Sequence, residues 1–563
     1  MVVAMVVGCG KPEYDVVVVG GTPGGIMTAV SASRMGHSAL LLERSGTVGG
    51  LPAGGLGATD IATRGATTGL FLEFVTRVKE RYVQEYGADS QQVMDCSDGY
   101  HFEPGVAEAV FGEMLSECEN VTVRKMMQFD AVPGNVRMEG KRIRWIRVTD
   151  RTSGKRLKVW GKVFVDATYE GDLGAAAGVP FRLGREGKDE FDEPIAGKVY
   201  KYWRGPVGEG TTYEGDGTIQ AYNYRLCLTR EEGNKVPFRK PDHYDREEYV
   251  SLIDDILYGR HTGVATLNVT DAMREANREA ILAGGRTSIP DDPWGMAKLS
   301  NMTKLPNGKT DANNQHMAFI STDLPEENQE WPTASWEWRD QFAVRLREYT
   351  EGLLWFAAND EAVPESFRRE VSTWGFAADE YTDNDNFPRQ VYVREGRRLE
   401  GMYFFTANDA LSGTGRGPLH ADAVTASHYA LDSHAHHKRE PGRIHLDGFL
   451  SWPTQVYNVP YGVMVPKEIT NLLFPVPVSG SHIGFSTLRM EPCWMALGQA
   501  AGTAASLAIE YQTSVQDVDI ESLQYLLLQQ GATLVYMPDH SPSDSNFITL
   551  QRSVLSALRA AGK

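Results

Sequence analysis

The sequence predicts an α/β protein: a parallel sheet begun by a βαβ unit and extended by a β-meander, with a mixed α+β domain inserted into the chain. Three observations carry this. A β-branched run, Asp15 to Val19, passes at once into Gly20-Gly21-Thr22-Pro23-Gly24-Gly25, then a helix-like stretch Ile26 to Met35, then a second apolar run Ser38 to Leu42. Val121 to Val165 falls into short runs separated by turn signals at Pro133-Gly134-Asn135 and Ser153-Gly154. From about residue 180 to 440 the chain is irregular and rich in Trp, Tyr, Asp, Asn and Pro, too aromatic for disorder.

The elements follow in order. Asp15 to Val19 is continuously apolar past its first residue, as in a strand covered on both faces of a parallel sheet. With the second run, which ends at Glu43, it makes a complete βαβ unit in about 30 residues. Gly46 to Gly57 (GTVGGLPAGGLG) reads as a long glycine-rich loop. Leu70 to Tyr86 carries apolar residues at helical spacing, and Val106 to Glu117 is a further helix with Pro104 near its start. The meander leads into a strand at Lys162 to Val165. Phe474 to Val478 is expected as another strand. Pro492 to Tyr511 is expected as a long helix whose Ala and Gly content demands a close packing partner, and two short helices follow.

The chain has 563 residues, enough to bury a large core. It carries 56 basic and 74 acidic side chains, a formal charge of −18. That balance disfavours nucleic acid and anionic membranes, since phosphates need clustered Lys and Arg. The expected partner is a small molecule, and the oligomeric state stays open. The five cysteines, Cys9, Cys96, Cys118, Cys227 and Cys493, form no CxxC, so neither a zinc knuckle nor a redox-active disulfide is expected. No apolar run approaches about 18 residues, so no membrane span is expected. Met1 to Gly10 is apolar but short and lacks a positive start. It reads as a leader before the first strand of a cytoplasmic protein. Val6-Val7-Gly8-Cys9 resembles a bacterial lipobox, which keeps secretion or a lipid anchor at Cys9 as the alternative.

The glycine motif sits between strand and helix, the context in which it binds a dinucleotide. Gly20 permits the tight turn and Gly25 lets the helix approach the sheet. With Thr22, Pro23 and Gly24 they place free N–H groups and the positive end of the helix dipole at a pyrophosphate. Glu43 lies 23 residues after Gly20, where a carboxylate accepts from a ribose hydroxyl and disfavours a 2′-phosphate. Thr22 stands where the middle glycine is usual, so crowding is expected unless Pro23 tilts the turn. A Rossmann-like unit without nucleotide is the plain alternative. Gly49, Gly50, Leu51, Gly54 and Gly55 follow soon after Glu43 and Arg44. Such a stretch lets the backbone run along an extended cofactor threaded inward, which favours FAD.

Ser479 to Gly502 reads as the flavin end of the site. Pro492 suits a first helical turn, with Met490 and Glu491 beside it, so the helix start faces back toward Arg489. A positive helix end and Arg489 there would favour negative charge on the reduced flavin. His482 is a candidate base, or else a hydrogen-bonded structural histidine. His434, close to Asp432, is a second candidate, while His436 and His437 read as a solvated basic run and no metal site is expected. Asn223, Tyr224 and Arg225 are candidates for substrate binding, with core packing the alternative for Tyr224. Asp311, Asn313, Asn314 and His316 form another polar cluster. Trp331, Trp336 and Trp338 suit either a sugar-stacking surface or the core.

Longer strings carry a family likeness: Val16 to Ile26, His101 to Glu108, Val163 to Val179, Gln220 to Thr229, Tyr392 to Gly401, Leu431 to His434 and Ser481 to Gly502. The chain resembles the FAD-dependent oxidoreductases of the glutathione-reductase-like superfamily, and within it the family loosely labelled xanthan lyase-like. The resemblance implies a discontinuous FAD domain (12–180 and 441–511), a substrate domain (181–440) and a helical tail (512–563). It implies that Thr22 is an ordinary occupant of its position. It also puts Asp166-Ala167-Thr168 where a turn closes over FAD, with Asp166 and Thr168 at the cofactor. The expected activity is oxidation of a CH–OH or CH–NH group of a small polar, sugar-like molecule by hydride transfer to flavin N5. His482, His434 and Arg489 are the catalytic candidates. A monooxygenase reduced by NAD(P)H and a non-catalytic FAD protein remain as alternatives.

Overall fold

The computed structural model describes residues 13–411 and 419–562. Cys9 and its lipobox-like surroundings lie outside the described residues. The main sheet has eight strands. Seven come from the first part of the chain: β1 Glu13–Val19, β2 Ala39–Leu42, β3 Val121–Arg124, β4 Met127–Gln128, β5 Val136–Glu139, β6 Arg142–Asp150 and β7 Arg156–Asp166. The path runs β3-β2-β1-β7-β6-β4, with β5 also on β6 and a late strand, Leu472–Leu473, parallel to β7. β1, β2, β3 and β7 are parallel, while β6 is antiparallel to β7, β5 and β4. The expected strand at Lys162 to Val165 is therefore the end of a longer one. Trp160 pairs with Trp145 of the meander on one side and Glu13 of β1 on the other.

Val16 to Val18 and Leu40 to Leu41 are fully buried, as strands covered on both faces require. One cover is helix α1, Pro23–Arg34, which in turn packs on the long helix Glu491–Glu510. Small residues make that approach feasible. A Cβ on Gly498 would lie 2.1 Å from the Gly24 carbonyl oxygen, and one on Gly502 would lie 2.4 Å from that of Thr28. The Ala and Gly content of the long helix is thus a contact surface.

A second, antiparallel sheet is drawn wholly from residues 226–377: Lys235–Val236, Gly375–Ala377, Leu226–Thr229, Lys309–Asn314 and Ser300–Lys304, in that spatial order. The 24-residue helix Trp336–Asn359 lies alongside, where the Tyr224 hydroxyl donates to the Ala343 carbonyl. The two sheets are joined rather than hinged apart. One hydrophobic cluster runs through both, and Ala58 N–H donates to Asp311 of the second sheet at 3.1 Å.

Two expectations are corrected here. Phe474 to Val478 is not a strand; pairing stops at Leu473, because Pro475 and Pro477 have no N–H for a ladder. The Gly46 to Gly57 stretch is no open loop: it contains a helical turn, α2 Gly50–Ala53, and is mostly buried from residue 48. Of the two readings of the tryptophans, the core one holds for Trp331 and Trp338, and the sugar-stacking face is the one set aside. Trp331 is buried edge-on to Phe342, and Trp338 stacks on the same ring. No helix of the described residues is long and apolar enough to cross a membrane.

Candidate cofactor cleft and active centre

A cleft opens at the carboxyl ends of β1 and β2. Gly20 starts it at φ +106°, with Ala167 so close that a Cβ would meet its carbonyl carbon at 2.6 Å. Thr22 then caps α1: its hydroxyl accepts from Gly25 N–H (3.2 Å) and donates to the Ala167 carbonyl (2.8 Å). The side chain feared to crowd the turn therefore points at the β7 turn and holds it. The first-turn N–H groups of α1 have no acceptor within the helix. Glu43 lines the cleft, its carboxylate accepting from Gly21 N–H (2.7 Å) and Ser45 N–H (2.6 Å). It ties the turns after β1 and β2 together.

Arg44, Trp336, Phe129 and Met127 wall the outer end. The Arg44 guanidinium lies 4.0 Å over the Trp336 ring, a cationic and aromatic surface suited to a flat base. The inner end is lined by Gly50, Ala53, Gly54, Thr168, Tyr169, Glu170, Asp172, Arg389 and Gln390. Gly49 and Gly55 have left-handed φ and pack beneath it, Gly55 so tightly that a Cβ would meet the Arg225 carbonyl at 1.9 Å. Leu51 N–H donates to the Tyr169 hydroxyl at 3.0 Å. Asp166 stands behind the wall: it accepts from Thr168 N–H, the Thr168 hydroxyl and Gly174 N–H, and so shapes the turn that presents Thr168. Helix-start amides, an acid at the end of β2, a base-sized shelf and a buried inner loop together fit a dinucleotide such as FAD.

Behind the inner loop lies a buried, densely charged centre. The segment into strand Leu226–Thr229 is extended, so side chains alternate. Asn223 and Arg225 enter this centre, whereas Tyr224 turns away to pack against Phe387. Arg225 pairs with Asp311 (2.8 Å) and approaches Asp60 (3.6 Å). Arg394 reaches Asn223 (3.0 Å) and Asp323 (2.9 Å). Arg489 donates to the Tyr392 hydroxyl (2.7 Å) and to Asp432 (2.9 Å). All three guanidiniums lie within 5.8 Å of the Tyr392 ring centre. His434 sits among them with Nδ1 2.8 Å from Asp323 and Nε2 3.5 Å from Asp432. Burial opposes charge on Asp432, but His434, Arg489 and Arg394 outweigh it and hold its carboxyl well below the usual range. His316 stacks on Trp203 nearby, and burial pushes its pKa down to about 4.

His482 occupies a different position. It is buried, with Nδ1 2.7 Å from Glu395 and Nε2 3.1 Å from the Ser433 hydroxyl. Glu395 also accepts from Gln220 Nε2 (3.0 Å), whose side-chain Oε1 accepts from His434 N–H (3.2 Å). Glu395, His482, Ser433, His434 and Gln220 thus close a ring around the backbone of His434. His436 is buried as well, against His482 and the Thr218 hydroxyl, which corrects its reading as solvated. The cause is local: Gly448 leaves room for its ring, since a Cβ there would meet it at 2.3 Å. His437 is part-exposed beside Glu326. Among the described residues no group of three or more His, Cys, Asp or Glu side chains is arranged so that it could hold a metal ion.

Sequence reasoning missed Asp60, Asp323, Tyr392, Arg394 and Tyr169 as site residues, and it named Trp336 without placing it at the cleft. The one available signal was the run Arg394-Glu395-Gly396-Arg397-Arg398, dense in charge yet without helical spacing; all four of its charged side chains are buried.

The family model described as FAD dependent oxidoreductase matches residues 15–527. No curated protein matches. Among solved structures, the flavin-dependent monooxygenase PieE in complex with FAD and substrate is similar over 31% of this chain and 34% of its own, at 15% identity and a TM-score of 0.22. The glycerol-3-phosphate dehydrogenase from Bacillus halodurans complexed with FAD is similar over 35% and 45%, at 10% identity and a TM-score of 0.21. The p-nitrophenol 4-monooxygenase from Pseudomonas putida is similar over 35% and 53%, at 13% identity and a TM-score of 0.22. This chain thus spans between about a third and about half of these neighbours' lengths. Since the family model covers nearly all of it, the chain belongs to the family of FAD-dependent oxidoreductases.

Proposed function

We propose that this oxidoreductase acts on a CH–OH or CH–NH group of a small polar, sugar-like molecule, and that His434 takes the proton released. The single observation behind this reading is the setting of His434. Its imidazole stands between two carboxylates, Asp323 and Asp432, the second of which also pairs with Arg489. When bound, FAD supplies a two-electron acceptor whose N5 takes the hydride. Thr22, Pro23 and Gly24 would hold its pyrophosphate, Glu43 its ribose, Arg44 and Trp336 its adenine, and Gly50 to Gly55 its inner length.

The chain's own residues do the rest. Asp323 fixes the His434 ring through Nδ1, and Nε2, which faces Asp432, is the nitrogen that takes the proton when the imidazole is neutral. His482 positions His434 through Ser433, so it is a support and not the base. Arg489 and the start of the helix Glu491–Glu510 favour negative charge beside them. Asn223 and Arg225 offer polar contacts to substrate from the 181–440 domain. The wider likeness to glutathione-reductase-like flavoproteins is part of this proposal and brings no lyase chemistry with it. Family membership sets aside the non-catalytic alternative.

The test is anaerobic addition of sugars, polyols, alcohols and amines to the purified flavoprotein. At least one should bleach the flavin bands, and His434→Asn should slow that bleaching by about 10²–10⁴-fold with FAD retained. Bleaching by NADH or NADPH but by no organic donor would overturn the proposal in favour of a monooxygenase.

A further inference from the structure

Glu491 begins the long helix and is 2% exposed. Its Oε1 lies 2.6 Å from the Tyr169 hydroxyl, while its Oε2 is buried without a hydrogen-bond partner. The direction of the bonds identifies the proton. Leu51 N–H donates to the Tyr169 oxygen, so the one hydroxyl hydrogen of Tyr169 is free to go to Oε1. Oε1 is then the acceptor, and an acid proton belongs on Oε2. The ionisable groups facing Glu491 are Tyr169 and Asp60, neither of them a cation. With burial uncompensated, its pKa is pushed up to about 8.

The location gives this acid a purpose. Tyr169 lines the inner end of the cleft, where a Cβ on Gly50 would meet its hydroxyl at 2.3 Å. Asp60 belongs to the charged centre around Tyr392. Glu491 therefore lies between cofactor cleft and active centre, at the positive end of a helix. Ionised, it would cancel that end; neutral, it leaves the helix free to favour charge that reduction adds to the cofactor.

We propose that Glu491 is kept as a neutral acid whose Oε2–H donates to the bound FAD, and that its proton is linked to the redox state of the cofactor. This rests on the FAD reading above and adds a residue and a proton to it. Two electrons enter the cofactor from an external reductant; above the pH where Glu491 ionises, one further proton passes from solvent to its carboxylate.

The experiment is a dye-coupled reductive titration of the holoenzyme from about pH 6 to about pH 9.5, giving midpoint potential against pH. The wild-type curve should steepen above about pH 8 by about 30 mV per unit, the two-electron equivalent of a tenfold change in proton activity. Glu491→Gln should bind FAD and lack the steepening. Tyr169→Phe removes a donor to the carboxyl and should move the bend to higher pH. Parallel curves for wild type and Glu491→Gln overturn the proposal. Should that variant not fold, a wild-type curve without a bend, or a bend unmoved in Tyr169→Phe, overturns it equally. A wild-type protein unable to bind FAD sinks the cofactor reading itself, a separate and recognisable outcome.

Discussion

Thr22 shows how one side chain reconciles a motif with its exception. The middle position of such a fingerprint needs space at the helix start, and Thr22 turns its hydroxyl away from it, to the Ala167 carbonyl and Gly25 N–H. Removing it leaves a buried carbonyl without its donor and a helix without its cap. Thr22→Ala should therefore lower the stability of the cofactor-free protein by about 1–2 kcal/mol, read as a lower midpoint in denaturant unfolding. Thr22→Ser keeps both bonds and should restore most of the loss; if Thr22→Ala unfolds with the wild type, the hydroxyl is idle. Reading the sequence located Thr22 but expected crowding, because Ala167 lies 145 residues away. His482 illustrates the same limit. Its chemistry was legible in the residue type, but its confinement by Glu395 and Ser433 depends on partners 87 and 49 residues distant.

Elements were legible wherever local periodicity decides them. β1, α1, β2 and the helix Glu491–Glu510 sit where patterning put them, since each is made of one unbroken repeat. Patterning also announced that the long helix needed a close partner, though not that the partner is α1. The contact makes a sharp test, because Gly498 and Gly112 are both helical glycines in different surroundings. A Cβ on Gly498 would strike the Gly24 carbonyl at 2.1 Å, while one on Gly112 meets nothing within 4 Å. Gly112→Ala should stabilise the protein by about 0.5–1 kcal/mol through helix propensity alone. Gly498→Ala should destabilise it by about 1–3 kcal/mol or more and loosen FAD, since Gly24 belongs to the turn proposed above to hold the pyrophosphate. Thermal shift and FAD release on dilution measure the two effects. Equal behaviour of both variants would show that the helices do not depend on their close approach.

At the scale of the whole molecule, the site exists only because two sheets are held in register. Residue types identify the cofactor half, but the charged centre is assembled from strands and loops hundreds of residues apart, so no local pattern reveals it. One joint between the halves is a buried ion cluster. Lys309, on the second sheet, is 2.6 Å from Glu103, at the start of a helix packed on α1, 3.0 Å from Glu380, and 2.7 Å from the more exposed Asp379. Burial opposes its charge, but Glu380 and Glu103 outweigh that and raise its pKa well above the ordinary range. Glu103 also receives the Tyr82 hydroxyl and Asn307. Lys309→Met keeps the volume and strands two buried carboxylates, which should cost about 3–5 kcal/mol. Because each carboxylate belongs to a different half, the damage should appear as faster hydrogen exchange along both sides of this joint, with β1 and β2 still protected. The triple variant Glu103→Gln, Lys309→Met, Glu380→Gln removes the buried charges together, leaving only the exposed Asp379, and should recover much of the stability, since the penalty lies in the unpaired buried charge rather than in the missing bond. If the triple variant is no better than Lys309→Met alone, the cluster acts through its hydrogen bonds to Tyr82 and Asn307, and the two halves are locked by geometry instead of by charge.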